Sequence, residues 1–177
     1  RFFVADARAL VSLDPGTGGG AGAVPKPAGS GYGFGVAYNG DPDDPYWMIN
    51  SWQNSNLYYT EDQFGTWQTT GNPAGSNGRG MSCDGEYYWQ SNSTGLMRFT
   101  PGGAGTSFPD MAPNQISGVT VVPGDDPSHT YVMVTTYNTD IFVLYEYDGS
   151  GMTQVATGVT PSSLGVNSRL GLCWCNA

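Results

Sequence analysis

Two short acidic stretches are the first candidates for chemistry in this sequence. One reads NGDPDDP at residues 39–45 and the other PGDDPSH at residues 123–129. Carboxylate oxygens grouped this closely are hard ligands of the kind that Ca²⁺ prefers, although Asp-Pro pairs are also ordinary turn residues. We therefore expect either a calcium site or a plain turn at each stretch. The candidate metal ligands are Asp41, Asp43, Asp44, Asp125 and Asp126.

A second group consists of residues that come just before short apolar runs. Arg79 precedes GMSC and Arg169 precedes LGLCWC, while Tyr32 and Gln115 precede GFGVAY and ISGVTVV. Two guanidinium groups at one site suit a carboxylate or phosphate, and the Tyr32 ring is able to stack on a ligand ring. The alternative is that both arginines are exposed or paired with acids such as Asp110. The ligand-binding prediction needs elements that bring these four residues together.

Catalytic chemistry has little support in the residue pattern. His129 is the only histidine and lies in an acidic turn, so a His-dependent nucleophile triad is disfavoured. The three glutamates, Glu61, Glu86 and Glu146, do not fall where predicted strands would pair them for glycoside cleavage. The sequence therefore predicts a protein that is not an enzyme.

Composition and charge exclude several classes of partner. The chain has 177 residues, a net charge of -9, one Lys and five Arg, and it lacks the basic surface on which nucleic-acid affinity rests. No stretch approaches the roughly 20 apolar residues of a membrane span, so no membrane insertion is expected. Charged residues make up only 12% and there are 27 glycines, a composition that favours short strands and tight turns. We expect one all-β domain over residues 1–177, with no cofactor apart from the calcium considered above.

An internal repeat organises these strands. Residues 46–70, 86–109 and 130–158 share one layout of strand, polar turn, strand, Gly- or Asp-bearing turn and shorter strand. Another apolar run precedes each, which makes four strands a unit. Tyr46 recurs at Tyr87 and Tyr131, a period of roughly 41 to 44 residues that is typical of β-propeller blades. A β-sandwich is the alternative.

The chain ends complete the pattern. Strands in residues 1–27 match the second, third and fourth strands of a blade, and residues 165–177 match the missing first strand. Pairing the two ends would close a ring and leave no sheet edge open. The predicted blades are 28–74, 75–111, 112–161, and a composite of 1–27 with 165–177. The alternative is a four-blade arc of a larger ring.

One turn resembles a known family. TEDQFGTW at residues 60–67 resembles the Asp-box of sialidases and related propellers, whose pattern is Ser/Thr-x-Asp-x-Gly-x-Thr-Trp. Thr60, Asp62, Thr66 and Trp67 match, while Gly65 falls one place late, so the likeness is partial. It implies structural roles only: Asp62 bonds turn amides and Trp67 packs between blades.

These features together favour an interaction module over an enzyme. The turn runs SWQNSN and QSNSTG carry the Trp, Asn and Gln side chains that glycan-binding and protein-docking surfaces use. We expect a non-catalytic propeller of an extracellular or virion-surface assembly that binds other protein subunits or glycans through its loops. The alternative is a sialidase-like glycoside hydrolase or a fragment of one.

Overall fold

The chain folds into antiparallel β-sheets. The computed structural model describes residues 2–5, 9–14, 16–17, 19–62, 64–93, 95–102, 104–109, 111, 116–123, 126, 128–136 and 141–159. Within these ranges there are fifteen strands in four sheets, which confirms the all-β prediction. No helix in this part of the chain is long and apolar enough to cross a membrane.

Three of the sheets have four strands each, paired in chain order. One contains β4 Gly33–Tyr38, β5 Trp47–Ser51, β6 Asn56–Thr60 and β7 Gln68–Gly71. The next contains β8 Met81–Cys83, β9 Tyr88–Ser91, β10 Leu96–Phe99 and β11 Gly105–Phe108. The last contains β12 Ile116–Pro123, β13 Thr130–Thr136, β14 Ile141–Tyr147 and β15 Met152–Val159. The four-stranded repeat unit is therefore present in all three.

The sheet at the start of the chain has three described strands. They are β1 Phe2–Ala5, β2 Ala9–Leu13 and β3 Gly20–Pro25, also paired in chain order. The first strand predicted for this blade belongs to residues 165–177, which lie outside the described ranges. Closure of the ring by the two ends, the total of four blades and the blade boundaries thus stay predictions.

The first strands of the three complete sheets lie side by side and run parallel. Gly35 of β4 packs on Met81, and Gly85 lies beside the carbonyl of Asn39 further along. From β8 to β12, Gly80 N donates to Ser117 O at 2.6 Å and Ser82 Oγ accepts from Val121 N at 3.1 Å. In both pairs of strands, higher residue numbers on one strand face higher residue numbers on the other, so the strands are parallel. The starts of β4, β8 and β12 therefore lie at one end of the sheets, and the ends of these strands lie at the other.

Aromatic and β-branched side chains fill the space between sheets. Trp89 is fully buried and meets Tyr147 of the next sheet edge-on, with ring centroids 5.4 Å apart. Leu10 of β2 packs with Ile49 and Tyr58 of the neighbouring sheet. Flat rings suit the wedge between twisted sheets because they bury a large area in a thin layer. This packing fixes the sheets against each other and so fixes the relative positions of their loops.

Candidate functional site

Three loops meet at the end of the sheets where β4, β8 and β12 begin. They are residues 26–32, 52–55 and 72–80, and we call the surface that they form the Trp52 face. Trp52 N donates to Tyr32 O at 3.0 Å, and Asn77 N donates to Trp52 O at 3.3 Å. Because Gly33 and Ser51 are paired in the strand ladder, Tyr32 and Trp52 lie opposite each other just beyond it.

The loop that carries Tyr32 is held by side chains of the second loop. Asn54 Nδ2 donates to Gly29 O at 3.0 Å, and the Tyr58 hydroxyl donates to the same carbonyl at 2.9 Å. Gln53 Oε1 accepts from Tyr32 N at 3.3 Å, and Lys26 Nζ donates to Gly31 O. Gly29 and Gly31 have φ of 78° and 58°, a region in which a side chain would be strained. The loop is thus fixed before any ligand arrives.

Aromatic exposure distinguishes this face. Tyr32 is 50% exposed and Trp52 is 42% exposed. The other exposed large hydrophobic residues of the described ranges, Val155 and Val159, lie on the outer strand β15. The Trp52 face therefore presents two exposed aromatic residues whose backbones are joined by a hydrogen bond.

Buried amides support the third loop from below. Asn50 is fully buried, accepts from Gly35 N at 2.9 Å and donates through Nδ2 to Arg79 O at 2.6 Å. Gln90, also fully buried, donates through Nε2 to Asn72 Oδ1 at 3.3 Å. Parallel inner strands of different sheets have no complete ladder between them, so the Asn50 amide satisfies the backbone groups of Gly35 and Arg79. Residues 72–80 are anchored by this network.

The four residues predicted at the channel mouth are only partly described. Tyr32 and Arg79 lie at the same end of the sheets, just before β4 and β8, while Gln115 and Arg169 fall outside the described ranges. Arg79 is half-buried, and its backbone N donates to Ser91 O at 2.9 Å. Trp52 and Lys26 were not among the predicted site residues. Trp52 belongs to the run SWQNSN, which the sequence predicts as a docking turn. The sequence does not show the strand pairing that places Trp52 opposite Tyr32.

The carboxylates that the structure describes gather at the opposite end, where β4, β8 and β12 finish. We call this end the acidic face, and it includes the turns after β2, β6 and β14. Every Asp and Glu that the structure describes lies in these turns or next to them: Asp14, Asp41, Asp43, Asp44, Glu61, Asp62, Asp84, Glu86, Asp126, Glu146 and Asp148. By contrast, residues 26–32, 52–55 and 72–80 are all described and contain Lys26 and Arg79 but no Asp or Glu. The described carboxylates thus lie apart from these three loops.

The acidic stretches form turns that use their own carboxylates. Asp41 Oδ1 accepts from Asp43 N at 2.8 Å and from Asp44 N at 3.2 Å. Asp126 Oδ1 accepts from Ser128 N at 2.8 Å, and this hydrogen bond lowers the pKa of Asp126. No group of three or more His, Cys, Asp or Glu within the described ranges is arranged to hold a metal ion. Of the predicted ligands Asp41, Asp43, Asp44, Asp125 and Asp126, Asp125 lies outside those ranges, and the other four give no support to a calcium site.

His129 belongs to the acidic face. Its Nδ1 lies 2.8 Å from Glu146 Oε1, and the Tyr131 hydroxyl donates to the same oxygen at 3.4 Å. This pair joins the turn before β13 to strand β14. The histidine is therefore placed at the end of the sheets remote from the exposed rings.

Asp62 and Trp67 occupy a turn of the acidic face. Asp62 Oδ1 accepts from Thr60 Oγ1 at 2.6 Å and from Thr66 N at 2.8 Å. These hydrogen bonds lower the pKa of Asp62 to about 2, and the bond from Thr60 has the largest effect. Trp67 packs on the cluster of Leu10, Ile49 and Tyr58, which joins two sheets. The side chains thus stabilise a turn and a packing contact, while the family likeness of this turn remains an expectation.

Comparison with known proteins adds the fold class. No family model matches the sequence, and no curated protein is similar to it. Among solved structures, a chain of a nidogen/laminin complex is 15% identical with a TM-score of 0.59, covering 88% of this chain and 60% of its own. Virginiamycin B lyase from Staphylococcus aureus is 13% identical with a TM-score of 0.56, covering 85% and 49%. BBS1N, solved in complex with ARL6DN, is 15% identical with a TM-score of 0.55, covering 90% and 50%.

These neighbours are β-propeller-type proteins, and the chain shares that fold with them. Likeness at such low identity is evidence about architecture alone. The chain spans about half the length of the structures that it matches.

Proposed function

We propose that this protein is a non-catalytic interaction module that binds a partner, protein or glycan, through the Trp52 face. One observation carries the proposal: Tyr32 and Trp52 are both exposed, and hydrogen bonds join their backbones and fix their loops. A fixed loop loses little conformational entropy when a partner binds, and exposed aromatic residues dominate the energy of many binding surfaces. The acidic charge, scarce lysine and turn-rich composition are in keeping with an extracellular or virion-surface assembly.

The separation of rings and carboxylates supports a binding role rather than a hydrolytic one. Glycoside cleavage commonly uses two carboxyl groups that flank the scissile bond, roughly 5 to 10 Å apart. Residues 26–32, 52–55 and 72–80 contain no Asp or Glu. A sugar stacked on Trp52 would therefore have no carboxyl pair in the three loops that surround it.

The structural neighbours allow both kinds of function. The nidogen/laminin and BBS1N–ARL6DN structures are protein complexes, whereas virginiamycin B lyase is named as an enzyme. A glycan-acting enzyme, or part of one, is thus the second candidate. The exposed aromatic pair, in three described loops without Asp or Glu, favours the first.

Binding to a glycan array and to a panel of immobilised extracellular proteins tests the proposal. Wild-type protein is compared with Trp52→Ala and Tyr32→Ala, and with Val155→Ala as a matched control that truncates an exposed apolar residue on β15. We expect about tenfold weaker binding for Trp52→Ala, as for other aromatic hot spots, and no change for the control. Unchanged binding by both aromatic variants would contradict the proposal. Release of glycan fragments, measured by mass spectrometry, would support the enzyme instead.

A further inference from the structure

We infer that Asn77 is a site of spontaneous deamidation in the folded protein, whereas Asn39 is protected from the same reaction. The sequence contains two Asn-Gly pairs, Asn39-Gly40 and Asn77-Gly78. A glycine after asparagine favours deamidation, because it has no side chain to hinder its backbone nitrogen and lets the chain bend freely. The two pairs are chemically alike, so a difference in their reactivity reflects their surroundings in the fold. This modification does not depend on the proposed function.

The reaction needs only base and water. Once base has removed its proton, the backbone nitrogen of Gly78 attacks Asn77 Cγ: the N–Cγ bond forms, the Cγ–Nδ2 bond breaks and ammonia leaves. Water then opens the resulting succinimide ring at either carbonyl. Opening at Cγ gives an aspartate, and opening at the backbone carbonyl gives an isoaspartate, in which the main chain runs through the former side chain. No oxidant or reductant takes part.

The side chain of Asn77 is free to react. Asn77 is exposed, and its backbone N donates to Trp52 O at 3.3 Å, but its carboxamide makes no hydrogen bond to any residue that the structure describes. Gly78 N likewise has no acceptor among the described residues. The two reacting groups, Asn77 Cγ and Gly78 N, are therefore available without the loss of a hydrogen bond.

The side chain of Asn39 is held at both ends of its carboxamide. Its Nδ2 donates to Asp44 O at 2.8 Å. Its Oδ1 accepts from Tyr46 N at 3.0 Å and from Asp41 N at 3.3 Å. Attack by Gly40 N would require Asn39 Cγ to leave this position, and the broken hydrogen bonds would add to the barrier. The fold therefore slows the reaction at Asn39.

The fold also explains why a reactive pair stands at residues 77 and 78. Asn77 has a φ of 67°, a left-handed conformation that Asn adopts at lower cost than most residues. A Cβ at Gly78 would lie 2.8 Å from Gln90 Nε2 and 3.1 Å from Asn50 Cγ, so glycine is the residue that fits. Backbone geometry at Asn77 and packing at Gly78 thus favour the two residues that react together.

Deamidation of Asn77 would alter the Trp52 face. Residues 26–32, 52–55 and 72–80 contain no Asp or Glu, and either product brings a carboxylate to them. An isoaspartate also lengthens the main chain between the nitrogen that donates to Trp52 O and Gly78. The modification therefore changes the charge of these loops and, in the isoaspartate, the path of their backbone.

Peptide mapping by liquid chromatography and mass spectrometry tests the inference. Wild-type protein is incubated at mildly alkaline pH, once folded and once unfolded in urea, and conversion at Asn77 and Asn39 is followed with time. In the folded protein we expect Asn77 to convert about tenfold or more faster, because only Asn39 must first break hydrogen bonds. In urea the two rates should become similar, because the same dipeptide then lies in a flexible chain. Asn77→Gly suits the left-handed φ and is the control: it should remove the product at this position and leave the rate at Asn39 unchanged.

Several results would contradict the inference. Equal rates at the two asparagines of the folded protein, or no conversion at Asn77, would refute the reactivity of Asn77 in the fold. A difference of the same size in urea would refute the protection of Asn39 by its hydrogen bonds. Aspartate without any isoaspartate in the Asn77 peptide would refute the succinimide route, because opening of that ring yields both products.

Discussion

Replacing Gly80 with alanine tests how the first strands of neighbouring sheets pack. A Cβ at this position would lie 2.5 Å from Val119 N and 2.7 Å from both Gly118 Cα and Ser117 O. All three are backbone atoms of β12, so no side chain is able to turn away. The sheets would have to separate, and the hydrogen bond from Gly80 N to Ser117 O, 2.6 Å long, would lengthen.

The expected cost follows from overpacking in a dense interior. Such strain usually lowers the free energy of unfolding by about 1 to 3 kcal/mol. For a domain of this size that corresponds to a fall in the melting temperature of roughly 2 to 12 °C, measured by calorimetry or circular dichroism. Gly71→Ala is the matched control, since nothing lies within 4 Å of a Cβ added at Gly71 and the φ of Gly71 is not in the left-handed region. Equal stability of Gly80→Ala and Gly71→Ala would refute the close parallel contact of β8 with β12.

Two further predictions concern the acidic face. Arg98 Cζ lies 3.4 Å from the centre of the Tyr87 ring, and Arg98 Nη1 donates to the Tyr147 hydroxyl at 3.0 Å. Arg98→Met should therefore lower the free energy of unfolding by about 1 to 2 kcal/mol, and Arg98→Lys should restore only part of this stability. A loss below experimental error in urea unfolding would contradict this prediction. The pKa of Asp62 is depressed from 3.8 to about 2, so the stability that it contributes is fully present above pH 3.8 and is lost as the pH falls through about 2. As the pH falls through this window, the melting temperature should fall more steeply for the wild type and for the control Asp43→Asn than for Asp62→Asn. Parallel curves would contradict a stabilising role of the Asp62 carboxylate in its turn.

Much of the architecture could be predicted from the repeat. The recurrence from Tyr46 to Tyr87 to Tyr131 indicated four strands in each unit, because strand and turn residues alternate at short range and leave a clear pattern. The structure has four-stranded sheets at these places. The predicted pairing of the chain ends depends on residues 165–177, which the structure does not describe, so the number of blades and their closure stay predictions.

The candidate site could be predicted less well, because it depends on long-range pairing. Tyr32 and Arg79 were expected from their place before apolar runs, and both lie at the Trp52 face. The position of Trp52 at this site depends on a backbone contact with Tyr32, 20 residues away in the sequence. No local sequence pattern reveals such a contact. The position of the described carboxylates is likewise a property of topology: each of their turns looks ordinary alone, and only the parallel inner strands bring these turns to one end.

Mapping a bound ligand by backbone amide chemical shifts tests the central claim most directly. The protein would be titrated with the tightest-binding probe from the glycan array or the protein panel. We predict that the amides of residues 29–33, 52–55 and 77–80 shift in proportion to occupancy, while those of residues 39–44, 84–87 and 148–151 do not. Shifts concentrated at the second set would place binding on the acidic face and contradict the account.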